Sequence, residues 1–534
     1  MIPLAAASCD GFLDTVPDDR IELDSKDKVT KMLVSAYPTV STILISELSS
    51  DNVTDNGSQY DTYGQVCGDA YQWKDITTDD TDAPKSVWDA HYNAIAAANQ
   101  ALKAIEELGG GADYDAQRGE ALICRAFAHF QLANLFCMPY DASTAESTLG
   151  IPYTTEPETT VLPDGIERGT LAHTYEMIDS DIEEALPLID DNIYSVPKYH
   201  FNQKAAYAFA ARFNLYYHKF DKVIEYAGKT LGQDPSATVR NWKAFSELAT
   251  DFELRCNSYV SGNEACNLML LTANSSWPYV QGPYAIGLRY GSAYDIMLNE
   301  ILPGPWGGYN KLNMANGIWG FEQKYSLPKL LGYFEYTDKT AGIGYLHLVN
   351  VAFSTDELLL CRAEAKLLKT PQDIDGAVAD INILLNSMAG INLTKDQIVN
   401  YFSSKPYMPL HLKKNSQRSI KKELHPQGFS IPDHTTENLI QCVLHLRRVT
   451  TVHEGLRWND IKRYGIEYSH ARSGKADDEL LVNDPRRAVQ IPQEVIAAGR
   501  GAGDAGDAGL GGQQLGQQVT AHEAGAAGDD DLFA

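Results

Sequence analysis

The sequence has no long hydrophobic run and comparatively few basic residues. A membrane-spanning helix needs roughly 20 uninterrupted apolar residues, and no apolar stretch in this chain of 534 residues approaches that length. Lysine and arginine number 44 against 71 acidic residues, which gives a formal net charge of −27 at pH 7. This balance argues against nucleic acid as a partner, because phosphate binding depends on clustered Lys and Arg. Any membrane attachment is expected to come through a lipid or a partner.

Cysteine is also scarce, since eight cysteines in a chain of this length do not make a disulfide scaffold. Cys256 and Cys266 flank a short polar loop and could pair in an oxidising compartment. No close Cys/His group has zinc-ligand spacing, and we expect neither a metal nor a cofactor. Four cysteines lie in or beside helical apolar patterns and are expected to be buried: Cys124, Cys137, Cys361 and Cys442.

Cys9 follows a run of small apolar residues, 4–8. A cysteine in this position is either the acylated first residue of a mature bacterial lipoprotein or an ordinary buried or free thiol. A secretory signal needs a basic region and a longer apolar stretch, and residues 1–8 supply neither. We therefore expect residues 1–8 to be the remnant of a longer signal peptide.

The chain does contain helical hairpins. Residues 206–235 predict two helices joined at 220–222 and closed by Pro235, with Ala206 and Ala210 allowing close approach. Similar patterns occur at 88–136, 175–187 and 356–386. Because one such unit cannot bury its apolar face alone, several must stack.

Aromatic residues crowd the segment 272–345, where they alternate with Gly, Pro and Asn. The apolar residues of this segment recur with neither helical nor strand periodicity. This pattern indicates long loops with short elements, packed on the helical layer. The shorter segment 60–73 has the same character.

Five sequence blocks occur in an order and spacing that resemble the SusD/RagB family, the surface glycan-binding lipoproteins of Bacteroidetes. The blocks are Cys9-Asp10-Gly11-Phe12-Leu13-Asp14; Trp88-x3-Tyr92-x2-Ile95-x3-Asn99; Glu120-Ala121-x3-Arg125-Ala126-Phe127; Asp356-Glu357 through Arg362-Ala363-Glu364-Ala365; and Glu454-Gly455-Leu456-Arg457-Trp458-x-Asp460-Ile461-Lys462-Arg463-Tyr464-Gly465.

The resemblance implies a mostly α fold, in which four tetratricopeptide-like helical hairpins pack against an irregular, loop-rich ligand-binding half. It also implies a non-catalytic protein that captures an oligosaccharide or polysaccharide and passes it to a SusC-like TonB-dependent outer-membrane transporter. Cys9 would then be the lipid anchor, the membrane would be contacted through that anchor alone, and the protein would sit at the cell surface on the outer membrane.

The expected organisation is a single domain over residues 9–498. Its helical repeats are expected at about 84–235 and 353–390, and its binding part at about 45–83 and 255–345. The tail 499–534, rich in Gly, Ala, Asp and Gln, cannot bury a core and is expected to be disordered.

A neutral-glycan site needs exposed rings that stack on the flat faces of a pyranose, with polar groups for its hydroxyls. Trp88 and Trp458, which lie inside the helical blocks, are assigned to the core instead. The predicted stacking rings are Tyr71, Trp73, Trp277, Tyr279, Trp306 and Trp319, with Arg289 and Asn310 as hydroxyl partners.

Two other functions remain open from the sequence. A glycoside hydrolase would need two carboxylates placed across a scissile bond, and a tetratricopeptide scaffold would grip a protein partner in its concave groove. Two departures from the family pattern are also present. Residues 446–450 lack the glutamates that are usual beside and shortly after the paired arginines, which predicts that local ion pairing is lost, and the tail from residue 499 replaces the expected ending rich in Asn, Pro and Gly. The polar stretch 403–432 predicts a surface excursion.

Overall fold

A computed structural model describes residues 23–157, 167–282, 288–314, 319–321, 324–412 and 417–492. The expected lipid anchor Cys9, the signal remnant 1–8 and the tail 499–534 lie outside these residues and stay predictions. Among the residues described, none of the helices is both long and apolar enough to cross a bilayer.

The first half of the chain is built from helices that pack in neighbouring pairs, α4 with α5 and α7 with α8, while α6 packs on α5. Buried Ala94, Ala98 and Ala101 leave room for the close approach of α4. Gly110 follows α4 with a φ of 60°, a left-handed value that glycine adopts without steric cost. The elements are α1 Lys26–Met32, α2 Ile43–Leu48, β1 Thr54–Asp55, α3 Gln65–Tyr71, α4 Pro84–Glu107, α5 Asp115–Phe136, α6 Leu171–Ala185, α7 Gln203–Tyr216 and α8 Phe220–Leu231.

The middle of the chain alternates short helices with strands. β2, β7 and β6 form an antiparallel sheet in that order, and β1 pairs with β3, which brings residues 54–55 to this half of the molecule. The elements are α9 Trp242–Glu247, α10 Phe252–Tyr259, β2 Asn267–Asn274, α11 Trp277–Gln281, β3 Tyr290–Gly291, α12 Tyr294–Ile296, β4 Trp319–Phe321, β5 Lys324–Ser326, β6 Tyr333–Asp338 and β7 Ile343–Ser354. β7 is a longer element than the sequence indicated.

The strand β7 leads directly into the last group of helices. Ser354 caps α13 by accepting a hydrogen bond from the backbone N–H of Glu357 at 3.2 Å. The elements are α13 Thr355–Leu368, α14 Ile374–Ala389, α15 Lys395–Ser403, α16 His434–Thr450, α17 Leu456–Arg463, β8 Tyr468–His470 and β9 Asp478–Leu480. The expectation of a mostly α fold is confirmed. Trp88 and Trp458 lie in the core, as predicted.

The arginines of α16 form ion pairs with carboxylates that lie far from 446–450 in the sequence, so the absence of local glutamates does not leave them unpaired. Arg447 donates to Glu364 at 2.6 Å and to Asp460 at 2.7 Å. Arg448 lies 3.4 Å from a carboxylate oxygen of Glu300. These carboxylates belong to distant segments of the chain. They pair with the arginines where local glutamates are absent.

The segment 403–432 is not wholly a surface excursion. Lys421 and Lys422 are both buried, and Lys422 reaches Glu300 at 3.1 Å and Asp51 at 3.3 Å. These ion pairs allow a lysine to enter the core from a polar stretch.

The cysteines behave as buried apolar residues. Cys256 and Cys266 are both free, so the pairing that their spacing allowed is absent. The four cysteines expected in helical patterns are buried: Cys124, Cys137, Cys361 and Cys442.

Candidate functional site

Tyr71 and Trp73, at the end of α3, face the interior. Tyr71 donates a hydrogen bond to the carbonyl of Ala471 at 2.8 Å and stacks on His470 at 4.1 Å between ring centroids. Trp73 donates its indole N–H to the carbonyl of Ser49 at 2.9 Å and stacks on the other side of the same histidine, at 4.3 Å. These two rings anchor α3 to the C-terminal segment and leave no face for a sugar at the surface.

Trp277 and Trp306 are buried as well. Trp277 has no exposed surface, and its indole N–H donates to the carbonyl of His453 at 3.0 Å. Trp306 stacks on His445 with ring centroids 5.6 Å apart and donates to the carbonyl of Leu302 at 2.9 Å. Both indoles have satisfied N–H groups and pack as core residues in this structure.

The other predicted residues lie nearer the surface. Asn310 is exposed, and Tyr279 is half-buried. Arg289 pairs with the carboxylate of Asp55 through two hydrogen bonds, of 2.8 and 2.6 Å, so its guanidinium is already engaged by the protein. The side chain of Trp319 falls outside the described residues.

Three tyrosines from separate segments come together near Asn310, and we call Tyr294, Tyr309 and Tyr325 the tyrosine surface. Tyr294 and Tyr309 are each 43% exposed. Tyr294 meets half-buried Tyr325 edge to face at 5.3 Å between centroids. The pKa of Tyr325 is raised by burial and by the nearby phenols of Tyr294 and Tyr309, which places all three in one neighbourhood.

Local structure fixes these rings. The backbone N–H of Tyr325 donates to the carbonyl of Ser292 at 2.8 Å, which ties β5 to the residues just before α12. Tyr309 begins a single 3-10 turn, Tyr309–Lys311, that also carries Asn310. The tyrosine surface therefore combines exposed ring faces with an amide that can donate and accept hydrogen bonds.

Sequence reasoning selected Asn310 but passed over all three tyrosines. Most of the rings that it favoured were tryptophans, and three of these, Trp73, Trp277 and Trp306, are buried in the core. The available signal was local: Tyr309 follows Gly307 and Gly308, and Tyr294 follows Ser292 and Ala293, so neither belongs to an apolar pattern.

A cleft of about 400 Å³ adjoins the tyrosine surface, and we call it the charged cleft. Its walls come from residues 51–56, 293–300, 408–422 and 468–477, as far as these are described. The single turn α12 separates the two features, because Tyr294 belongs to the tyrosine surface and Asp295 lines the cleft. A ligand on Tyr294 would therefore lie beside the cleft.

Two buried aspartates, Asp82 and Asp51, hold separate segments of the structure together. Asp82 is buried and accepts hydrogen bonds from the hydroxyl of Ser275 and the backbone N–H of Ser276, the latter at 2.8 Å. Burial raises the pKa of Asp82. Asp51 binds Arg457 through two hydrogen bonds, of 2.8 and 3.0 Å. Over the part of the chain that the structure describes, no three His, Cys, Asp or Glu side chains are grouped so as to hold a metal ion.

Comparison with known proteins was made at the level of sequence and of fold. A SusD-like family model, described as "Starch-binding associating with outer membrane", matches residues 11–215. No curated protein matches the chain.

Solved structures resemble this one over nearly their whole length. A SusD superfamily protein from Bacteroides thetaiotaomicron VPI-5482 shares 18% identity at a TM-score of 0.60, covering 88% of this chain and 96% of that one. One from Bacteroides vulgatus ATCC 8482 shares 17% identity at a TM-score of 0.61, with the same coverage of 88% and 96%. A laminarin-binding SusD-like protein shares 14% identity at a TM-score of 0.52, covering 89% of this chain and 98% of that one.

At such identities the structural likeness shows the fold, and the family model adds a match in sequence over the first helical pairs. The chain therefore shares its fold with these SusD superfamily structures, and its sequence matches the SusD-like family model over residues 11–215.

Proposed function

We propose that this protein is a non-catalytic glycan-binding lipoprotein of the cell surface, which captures oligosaccharides and passes them to a TonB-dependent outer-membrane transporter. The observation that carries the binding role is the tyrosine surface. The family description and the laminarin-binding neighbour support a carbohydrate as the ligand.

The tyrosine surface has the chemistry that a sugar requires. The C–H face of a pyranose stacks on an exposed phenol ring, while amide and phenol groups bond its hydroxyl rim. Tyr294 and Tyr309 offer the rings, and Asn310 lies next to one of them along the chain. Because the rings come from separate segments held by backbone hydrogen bonds, little ordering is needed when a ligand binds.

Binding without cleavage is part of the proposal. A hydrolase needs two carboxylates placed across the scissile bond, one of them with a raised pKa. On the wall of the charged cleft, the carboxylate of Asp55 is ion-paired with Arg289, and that arginine is among the groups that keep its pKa low. Such a group is poorly suited to act as a general acid.

The transporter, the lipid anchor at Cys9 and the outer-membrane location come from the family resemblance. They belong to the proposal and can be tested separately from ligand binding. Labelling with a fatty-acid probe, compared between the native chain and Cys9→Ala, tests the anchor. Co-purification with a transporter encoded beside the gene tests the handover.

The binding role is tested with a glycan panel and the double variant Tyr294→Ala/Tyr309→Ala. Each ring contact is worth about 0.5–1.5 kcal/mol, so losing two should weaken affinity roughly tenfold or more. Isothermal titration measures the affinity, and the melting temperature should not change because both rings are exposed.

The matched control is Tyr336→Ala/Tyr345→Ala, which removes two equally accessible tyrosines from the hairpin of β6 and β7. We expect it to bind as the native protein does. Equal weakening by both double variants would show that the tyrosine surface is not the site. Shortened oligosaccharides after incubation would overturn the non-catalytic role.

A further inference from the structure

A second cavity lies where the helical repeats meet the sheet of β2, β7 and β6. Its walls come from the start of α2, the later turns of α5, β2, β7 and the residues that lead into α17. None of its described lining residues belongs to the tyrosine surface or to the charged cleft. We call it the amide pocket, after four of its lining residues: Gln131, Asn134, Asn350 and Asn459.

The four amide side chains are half-buried, and none of them has a hydrogen-bond partner among the described residues. Amides in the interior of the protein are bonded instead. The amide of Asn202 donates to the carbonyl of Leu268 at 2.9 Å, and that of Asn267 donates to the carbonyl of Tyr259 at 2.8 Å. Because polar groups removed from bulk water need partners, four unpaired amides around one pocket indicate an occupant that forms hydrogen bonds.

One arginine and one glutamate also line the pocket, and the protein already balances their charges. The guanidinium of Arg212 binds Glu357 through two hydrogen bonds, of 3.1 and 3.0 Å, and its remaining terminal nitrogen has no partner among the described residues. Tyr259 donates to one oxygen of Glu454 at 2.6 Å, and Lys329 lies 3.7 Å from that oxygen. The second oxygen of Glu454 is unpaired in the part of the chain that is described. These side chains therefore add a spare donor and a spare acceptor without net charge.

The remaining wall is largely apolar and includes Ile43, Phe127, Leu135, Leu271 and Leu456. The pocket has a volume of about 70 Å³, which holds about five to seven water molecules at roughly 10–15 Å³ each. It is partly open to solvent. This space suits one small ring and not a chain of rings.

These features match the chemistry of a single neutral sugar. Each sugar hydroxyl both donates and accepts a hydrogen bond, and an amide offers both functions in return. The C–H groups of the ring need an apolar wall, and a few polar groups set in such a wall are typical of small-molecule sites. A charged ligand would bring a charge that the balanced Arg212 and Glu454 do not match. His91, which also lines the pocket, is uncharged at neutral pH because burial lowers its pKa to about 4.

We propose that the amide pocket binds one neutral monosaccharide, at a site separate from the tyrosine surface. This inference goes beyond the proposed function, because it gives the protein a second ligand. An oligosaccharide on the tyrosine surface and a free sugar in the amide pocket can then be bound at the same time.

Titration of the full chain with D-glucose, D-galactose, D-mannose and D-xylose tests this site. We expect at least one of them to bind with a stoichiometry of one and a dissociation constant of about 1 mM or tighter, as measured by isothermal titration. The uronic acid of the same sugar should bind about tenfold more weakly, because the pocket does not match its charge.

Variants locate the monosaccharide. Asn350→Leu/Asn459→Leu keeps the size of both side chains but removes their hydrogen bonds, and should weaken binding about tenfold or more. Since neither amide bonds to the protein, the melting temperature should not fall. Gln131→Met makes a similar change on α5 and provides a test even if the double variant does not fold. Asn386→Leu is the matched control on the exposed face of α14, outside the pocket, and should bind as the native protein does.

The outcomes separate this site from the tyrosine surface. Monosaccharide binding that survives Tyr294→Ala/Tyr309→Ala but not the amide variants supports the inference. Binding that is lost in the tyrosine variant and kept in the amide variants overturns it, while still supporting the proposed function. A lower melting temperature with unchanged affinity in the amide variants assigns the amides to the fold and overturns it. Absence of saturable binding by all four sugars also overturns it, whatever the oligosaccharide panel shows.

Discussion

A tryptophan next to polar residues can still belong to the core, and Trp277 shows why. Its neighbours Ser275 and Ser276 give their hydroxyls to the buried carboxylate of Asp82. The polar residues therefore satisfy an internal acid, and the indole beside them points inward to His453. Composition alone suggested a solvent-facing loop.

The first residue-scale prediction concerns this indole. Trp277→Ala should lower the free energy of unfolding by about 3–5 kcal/mol, because it leaves a large cavity and an unpaired carbonyl at His453. Urea denaturation followed by circular dichroism measures the change. Tyr309→Ala is the matched control and should shift stability by less than about 0.5 kcal/mol. A stable Trp277→Ala variant that no longer binds glycans would instead assign the ring to the ligand.

At the scale of elements, α16 joins two clusters of buried charged residues. Arg447 turns toward Glu364 of α13 and Asp460 of α17, whereas Arg448 turns toward Glu300 and the carbonyl of Asp51. Adjacent residues on a helix point about 100° apart, so one pair of arginines can serve two separate clusters. The helix thus fixes the floor of the charged cleft relative to the repeats.

Removing Arg448 should therefore be costly. Arg448→Ala leaves the buried side-chain oxygen of Asn52 and the carbonyl of Asp51 without the hydrogen bonds that Arg448 donates, while Glu300 keeps Lys422. The variant should be destabilised by about 2–5 kcal/mol, as measured by urea denaturation. Arg486→Ala removes an exposed arginine paired with Asp484 and should cost less than about 1 kcal/mol. Equal effects for the two variants would contradict the assigned role of α16.

At the scale of the whole molecule, buried histidines should make the fold sensitive to acid. Burial lowers the pKa of His91 to about 4 and the pKa of His129, His445 and His453 to about 3. In the unfolded chain each would take up a proton near pH 6.5. The unfolded state therefore binds more protons as pH falls from 6.5 toward 4, and the folded state loses stability over that window.

Glu47 opposes this trend, because burial raises its pKa to about 7 and the folded state then binds the extra proton. Burial also lowers the pKa of His218 to about 4, which adds to the loss, whereas burial raises the pKa of Asp82, Asp356 and Asp460, which opposes it.

With five histidines against these acids, we expect a net loss of about 2 kcal/mol between pH 6 and pH 5. Urea unfolding at a series of pH values measures it. His129→Gln should reduce the slope, exposed His173→Gln should not, and a stability that stays constant from pH 6.5 to pH 4 would contradict the prediction.

How far the fold could be predicted depended on the range of the interactions. The hairpin of α7 and α8 could be located because its apolar period and its turn are local features. The sheet of β2, β7 and β6 could not, because β6 is largely exposed and β7 is mostly half-buried along its whole length, so no regular alternation of buried and exposed residues marked the strands. The ion pairs of Arg447 and Arg448 in α16 could not be predicted either, because the carboxylates that pair with them lie far away in the sequence.

The candidate site was predictable only as a region. The aromatic segment 272–345 does contain Tyr294, Tyr309 and Tyr325, but which rings face solvent is decided by contacts between segments. The number and spacing of aromatic residues along the chain do not show which rings are exposed to solvent.

The ion pairs of Asp51 with α16 and α17 also set an order of events in folding. Arg448 reaches the carbonyl of Asp51 across 397 positions, and Arg457 reaches its carboxylate across 406. Contacts of such long range form late, because a large loop must close before they contribute any stability. We therefore expect the wall of the charged cleft to be completed only after α16 and α17 have docked. The hairpin of α4 and α5, whose contacts lie close together in the sequence, should form earlier.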